Sequence, residues 1–234
     1  VAYPDRVRHL WRYTGPQKLQ PRRVLAGEPV GEPVAVELPQ NPAVLIRPGQ
    51  APQLNAAAED AGIAVSGLLD DPAACDVVGQ AVPADHGWFE ALNAAAFDAG
   101  VRVRVPRDLV LEQPLRLVVP ALPDGDLLPR ILVQVEQGAQ VTVVEEHRGG
   151  NAGSVVVGVT EVLVGANAEV RHVLVQHWEE GVAGHLTQRT LVARDARFLS
   201  VTAVLGGALV KADLGGVVTG PGARSQRIGV AVAE

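Results

Sequence analysis

The chain has no methionine, a single cysteine and only 3 % aromatic residues among its 234 positions. One cysteine, Cys75, excludes an internal disulfide framework and any Cys-only metal site built within one chain. It sits in the acidic stretch DDPAACDVV and reads as a structural or incidental residue. No run approaches 18 uninterrupted apolar residues, and no charged-then-apolar signal segment opens the chain, so a soluble cytoplasmic protein is the default expectation. Positive charge is not in excess either. A formal charge of -6 offers no general attraction to phosphate backbones or anionic lipid, so neither nucleic acid nor a membrane is an expected partner. The missing methionine extends to position 1, which leads us to expect that the chain is part of a longer translation product.

What is present is aliphatic and repetitive. The apolar fraction of 47 % is dominated by Val, Leu and Ala, side chains that suit layered strands better than a helical bundle. Four segments, ILVQVEQGAQVTVVE, EVLVGANAEVRHVLV, TLVARDARFLSVTAV and GVVTGPGARSQRIGVAV, each place a tight turn and an alanine between two apolar runs. The alanines are Ala139, Ala168, Ala196 and Ala223, giving a repeat of about 28 residues. An upstream run, VRVPRDLVLEQPLRLVV, puts Val110 in the alanine's place and starts the ladder near Val101. A fixed repeat with two apolar runs per unit predicts a mainly β chain forming a parallel β-helix of four to five coils over residues 101–234. A β-sandwich competes, but it would show hairpin turns every 8 to 12 residues or so and needs no fixed repeat.

Residues 1–100 read as a smaller mixed or helical N-terminal region. A short helix is predicted around Leu10, Trp11 and Leu19, stopped by Gly15 and Pro16. Prolines then recur from Pro21 to Pro52, compatible with edge strands or an irregular linker. Two helices follow, 51–61 ending at Gly62 and 89–99 ending at Gly100, with Phe89, Leu92, Ala96 and Ala99 on one face of the second. Beyond Gly100 the apolar period switches from 3.6 to 2.

Few residues offer chemistry. The histidines are His9, His86, His147, His172, His177 and His185, with no HExxH and no zinc-finger spacing. Stacking of coils could bring two of His147, His172 and His177 together as a metal site, although solvated or core-edge histidines are the plainer expectation. The pairs Gly149-Gly150, Gly206-Gly207 and Gly215-Gly216 lack a following GK[ST] and read as turns. Glu145 and Glu146 are neighbours on a strand and point to opposite faces, so they cannot form a glycosidase pair by themselves; Glu179 and Glu180 are the nearest acidic residues in other coils. Gly-x-Ser-x-Gly is absent. No catalytic residue is assigned.

Three stretches resemble the SufB/SufD scaffold proteins of iron-sulfur cluster assembly: WRYT (Trp11 to Thr14), ALNAAAFDAGVRVRVPRDLVLEQPLRL (Ala91 to Leu117), and the ladder with VEQGAQVTVVEE and VLVQHW. The second is the most specific, and the opening WRYT is closer to the SufD branch. The resemblance implies a right-handed parallel β-helix after a mostly helical N-terminal domain. It also implies a scaffold rather than an enzyme, acting with a SufB-like subunit and a SufC-type ABC ATPase in the SUF system. VQHW keeps the Gln176 and Trp178 of SufB's VQNW, while His147 stands where SufB carries a cysteine and Gln188 where SufB carries a lysine. Gln176, Trp178 and His147 are therefore the candidates for contact with a cofactor, no metal ligand is assigned, and the cluster is expected only in the assembled complex. The family's C-terminal coils and helical ATPase-docking domain have no counterpart in a sequence that stops at VAVAE in mid-ladder, so the open coil is expected to pair with another copy, giving a homodimer in isolation. Two other readings stay open, a β-helix enzyme acting on carbohydrate and a solenoid that polymerises through its coil ends.

Overall fold

A computed structural model describes residues 1, 3, 11, 14–27, 36–123 and 125–232. Ten strands form the ladder: β4 (Ala99–Val105), β5 (Leu115–Ala121), β6 (Pro129–Val135), β7 (Gln140–Gly149), β8 (Val155–Val164), β9 (Glu169–Trp178), β10 (Ala183–Val192), β11 (Arg197–Val204), β12 (Leu209–Val218) and β13 (Arg224–Ala231). Successive strands do not pair with each other. They pair with the strand two places on, in parallel, so odd and even strands build two separate sheets. Each even-odd pair makes one coil, and five coils stack into a parallel β-solenoid.

Three short strands precede the ladder. β1 (Ala43–Leu45) joins the odd sheet parallel to β5, and β2 (Gln53–Leu54) pairs antiparallel with β1. β3 (Ala64–Gly67) closes the other end of the even sheet, antiparallel to β4. Residues upstream of 100 thus cap both sheets at the first coil.

The corner between even and odd strands explains the repeated alanine. Glu169, Arg197 and Arg224 donate their backbone N–H groups to the carbonyls of Ala139, Ala168 and Ala196, each at 2.9 Å. Those bonds align the four alanines in one column, the first three buried in the core and Ala223 packed against it. The residue before each alanine takes positive φ: Gly138, Asn167, Asp195 and Gly222 at 74°, 59°, 57° and 73°. Glycine occupies two of these corners, and Asn167 and Asp195 hold the same positive-φ conformation at the other two. A Cβ on Gly138 or Gly222 would lie 2.1 Å from the carboxylate of Asp108 or Asp195 one coil below. The first coil departs from the expected register. Val110 bridges Gln140, so Leu109 stands beside Ala139, and Val110 is 55 % exposed.

Inside the coils, inward residues alternate along each strand and form one continuous core of Val, Leu and Ala. The outer face of the even sheet is covered by the N-terminal region. Helix α3, the third of three after α1 (Arg22–Leu25) and α2 (Ala56–Glu59), runs over Trp88–Ala96. It buries Phe89 against Trp11, Leu19, Leu128, Val155 and Val157. A second patch joins Leu68, Ala74 and Leu132.

Both predicted central helices are shorter than expected. α2 is a single turn, because Gln53 and Leu54 are drawn into pairing with β1 and Asn55 caps the turn by accepting from the Ala58 N–H. α3 stops at Ala96, and Ala99 and Gly100 already belong to β4; a Cβ on Gly100 would meet the Phe97 ring at 2.6 Å. Near the N-terminus, Pro16–Leu19 form a 3-10 turn in which Pro16 starts the turn rather than stopping a helix. Leu10 and His9 lie outside the described residues.

Candidate functional site

From the second coil onward, the apolar interior is interrupted by polar side chains. Val141, Val143, Glu145 and His147 share the inward parity of β7, and Val170, His172, Leu174, Gln176 and Trp178 that of β9. Register then decides which of them meet. His172 pairs with Val143, two residues from Glu145, and the Glu145 carboxylate sits between two imidazoles. His147 Nε2 lies 2.6 Å from Glu145 Oε1, and His172 Nε2 lies 3.1 Å from Oε2. Thr160, from β8 across the coil, donates its hydroxyl to Oε1 at 2.9 Å.

The chain of contacts continues toward the last coil. Gln188 Oε1 accepts from Ser200 Oγ and from the Arg227 guanidinium, which orients the amide so that its Nε2 donates to His172 Nδ1 at 2.8 Å. With Nδ1 accepting, His172 carries its hydrogen on Nε2, which faces Glu145 Oε2 at 3.1 Å without hydrogen-bond geometry. Glu145, His147, His172 and Gln188 are all 1 % exposed or less. Burial works against an ionised carboxyl here. The two imidazoles outweigh it and hold Glu145 well below the ordinary glutamate range. Arg227 is also pushed down from its usual range, by burial and by the neighbouring Arg189.

Gln176 and Trp178 complete the interior. Gln176 donates to the Gly206 carbonyl and accepts from the Leu205 N–H, pinning the turn between β11 and β12. Trp178 is 2 % exposed, edge-on to His147 with ring centroids 6.1 Å apart. Its indole fits only because position 184 is glycine, where a Cβ would lie 2.3 Å from the ring. Trp178 Nε1 and His147 Nδ1 are buried without a hydrogen-bond partner among the described residues.

Of the residues singled out from sequence, His147, Gln176 and Trp178 therefore lie in one interior, and His147 and His172 meet through Glu145. His177 does not join them. It has the opposite parity and lines an open groove of about 450 Å³ with Arg148 and Glu179. Neither solvated nor core-edge describes His147 and His172, which are fully inside. Among the described residues, no group of three or more His, Cys, Asp or Glu is arranged to hold a metal ion. Cys75 is exposed on the N-terminal region. Sequence reasoning missed Glu145 as the centre of the cluster, although its two-residue spacing from His147 places both on one strand face.

Two further polar contacts hold the N-terminal region to the even sheet. Glu161 accepts backbone N–H groups from Gly79, Ala81 and Val82 and pairs with Arg130 at 2.7 Å, with both side chains at most 2 % exposed. Glu90 of α3 meets His185 at 3.1 Å and Thr187 on β10. Burial opposes its ionisation, but the His185 contact prevails and lowers Glu90 to about 2.

This geometry can be set beside known proteins. Residues 121–234 match the SufBD core domain of SUF system FeS cluster assembly. The match begins at the end of β5 and takes in the whole polar interior. An iron-sulfur cluster assembly SufBD family protein of Staphylococcus saprophyticus is 30 % identical over 155 residues, 65 % of this chain and 33 % of the relative. Proteins of the same description from Staphylococcus epidermidis and Staphylococcus aureus are 29 % identical over 156 and 155 residues. Both kinds of match support the SufB/SufD family. The chain spans about a third of the length of these relatives. No helix among the described residues is long and apolar enough to cross a membrane.

Proposed function

We propose that this chain is a non-enzymatic, SufD-like scaffold subunit of the SUF iron-sulfur assembly complex. It acts in the cytoplasm with a SufB-like subunit and a SufC-type ABC ATPase, and the cluster is cargo of the assembled complex rather than a resident group of this chain. The observation that carries this reading is the closed polar interior. At the two positions where the resemblance to SufB would place a cysteine and a lysine, this chain has His147 and Gln188, each tied into contacts with Glu145 or His172. Such groups stabilise and orient; they offer no thiolate. The usual cluster ligands are cysteine thiolates, with histidine as an occasional replacement. Among the described residues, exposed Cys75 and an interior without a convergent ligand set do not fit a cluster held by this chain alone.

A carbohydrate-active β-helix would need carboxylates and aromatic rings on an accessible face, whereas Glu145 and Trp178 point into the coil. Polymerisation, or a homodimer of the isolated chain, would use β12 and β13, which are the outermost strands of their sheets. Co-expression with a SufB-like protein and a SufC-type ATPase tests the proposal. A stable three-component complex is the expected outcome, and failure of this chain to join the other two when they do associate would reject the SufD-like role.

A further inference from the structure

The two outer faces of the solenoid are built from the same aliphatic residues but are treated differently. On the even sheet, Val155 and Val157 are buried under α3 and its neighbours. On the odd sheet, nothing among the described residues covers the corresponding face of β9, β11 and β13. Its outward residues form a grid: Val173, Val201 and Ile228 stand opposite one another in successive strands, and Val175, Ala203 and Val230 do so beside them. Ile228 and Val230 are 46 % and 53 % exposed, and the other four are partly exposed.

Charge lies on the same face one row beyond this grid, past Arg171, Leu199 and Gln226. Arg197 and Arg224 are paired in register at the start of β11 and β13, both exposed. Neither forms an ion pair with a described residue, whereas Arg171 on β9 is paired to Glu169. Arg197 has Glu169 as its in-register neighbour on β9, so Arg171, Arg197 and Arg224 against the one carboxylate of Glu169 leave a local excess of positive charge on a chain whose net charge is -6. That excess asks for carboxylates. The molecule itself shows what fits on such a sheet, since α3 lays Phe89, Leu92 and Ala96 on the even face.

We propose that the odd-sheet face docks an amphipathic α-helix of a partner protein whose apolar stripe is flanked by aspartate or glutamate. The stripe covers the valine grid and the carboxylates meet Arg197 and Arg224. This inference rests on the faces and charges of the solenoid and does not depend on the iron-sulfur reading.

The test uses two fluorescein-labelled peptides of about 18 residues, long enough to cross four strands. One is helical with a Leu/Ala stripe and a Glu margin; the other is its Lys-margin counterpart. Anisotropy should show the Glu peptide binding this chain at least about tenfold more tightly than the Lys peptide, a difference of about 1.4 kcal/mol. The double variant Arg197→Glu/Arg224→Glu should reverse that preference, and Val201→Asp should weaken the Glu peptide by a similar factor while leaving the circular dichroism and Tm of the chain unchanged. No binding of the Glu peptide, or binding indifferent to all three changes, would overturn the proposal. So would sedimentation showing that the chain dimerises and that Val201→Asp makes it monomeric, because the occupant would then be a second copy.

Discussion

Val157 and Val201 are the same residue type on outward positions of parallel strands, one on the even sheet and one on the odd. Val157 is fully buried beneath α3, whereas Val201 is partly open. Strand chemistry alone does not separate them; the difference comes from what the N-terminal region covers. That region is fastened to the even sheet by buried polar groups, chiefly Glu161 and Glu90, and the odd sheet has no equivalent clip among the described residues. One face is therefore part of the folded core, and on the other no described residue covers the outward valines, although both satisfy the same period of two.

The comparison breaks most visibly by placing the same charge on each face. Val157→Asp buries an unpaired carboxylate and should cost about 4 kcal/mol or more, abolishing cooperative unfolding or lowering Tm steeply in calorimetry. The next largest effect concerns the clip. Glu161→Ala leaves Arg130 buried without its partner and frees three backbone donors, and chemical denaturation should read a loss of about 3–5 kcal/mol.

The pH dependence follows from Glu90. Its carboxyl lies lower in the fold, at about 2, than in the unfolded chain, so its contribution is present above the ordinary glutamate range and is lost as pH falls through it toward 2. Asp98 has the opposite sign. Burial raises it to about 6, so its contribution is full below the ordinary aspartate range and is lost as pH rises through 6. Unfolding measured from pH 2 to 7 should show both limbs, and Glu90→Gln should remove the Glu90 share of the acidic one, about 3 kcal/mol, while the share of Glu145 stays. The smallest effect sharpens the contrast: Val201→Asp should change stability by no more than about 0.5 kcal/mol.

The ladder was legible because its corners are chemically demanding. Each needs a residue tolerant of positive φ followed by a side chain small enough for a narrow turn, and Ala139, Ala168, Ala196 and Ala223 announce that position. The first coil hid its register because Leu109 fills the corner and the exposed Val110 imitates it. The helix at 56–59 was overestimated because alanine-rich propensity lost to strand pairing of Gln53 and Leu54. Half of the polar interior could have been read by counting parity, which puts Glu145 and His147 on one face. The rest could not. That His172 reaches Glu145, and that Gln188 orients His172, depends on inter-coil register and on closure of the two sheets, which no local pattern carries.

In the proposed role this chain supports a cluster-assembling complex without holding the cluster itself. Anaerobic reconstitution of the purified chain with iron and sulfide, followed by desalting, iron analysis and visible absorption, tests that most directly. The account predicts iron well below one equivalent and no charge-transfer absorption. Stoichiometric iron with a visible band would contradict it, and Cys75→Ser together with His147→Ala would then show which side chain holds the metal.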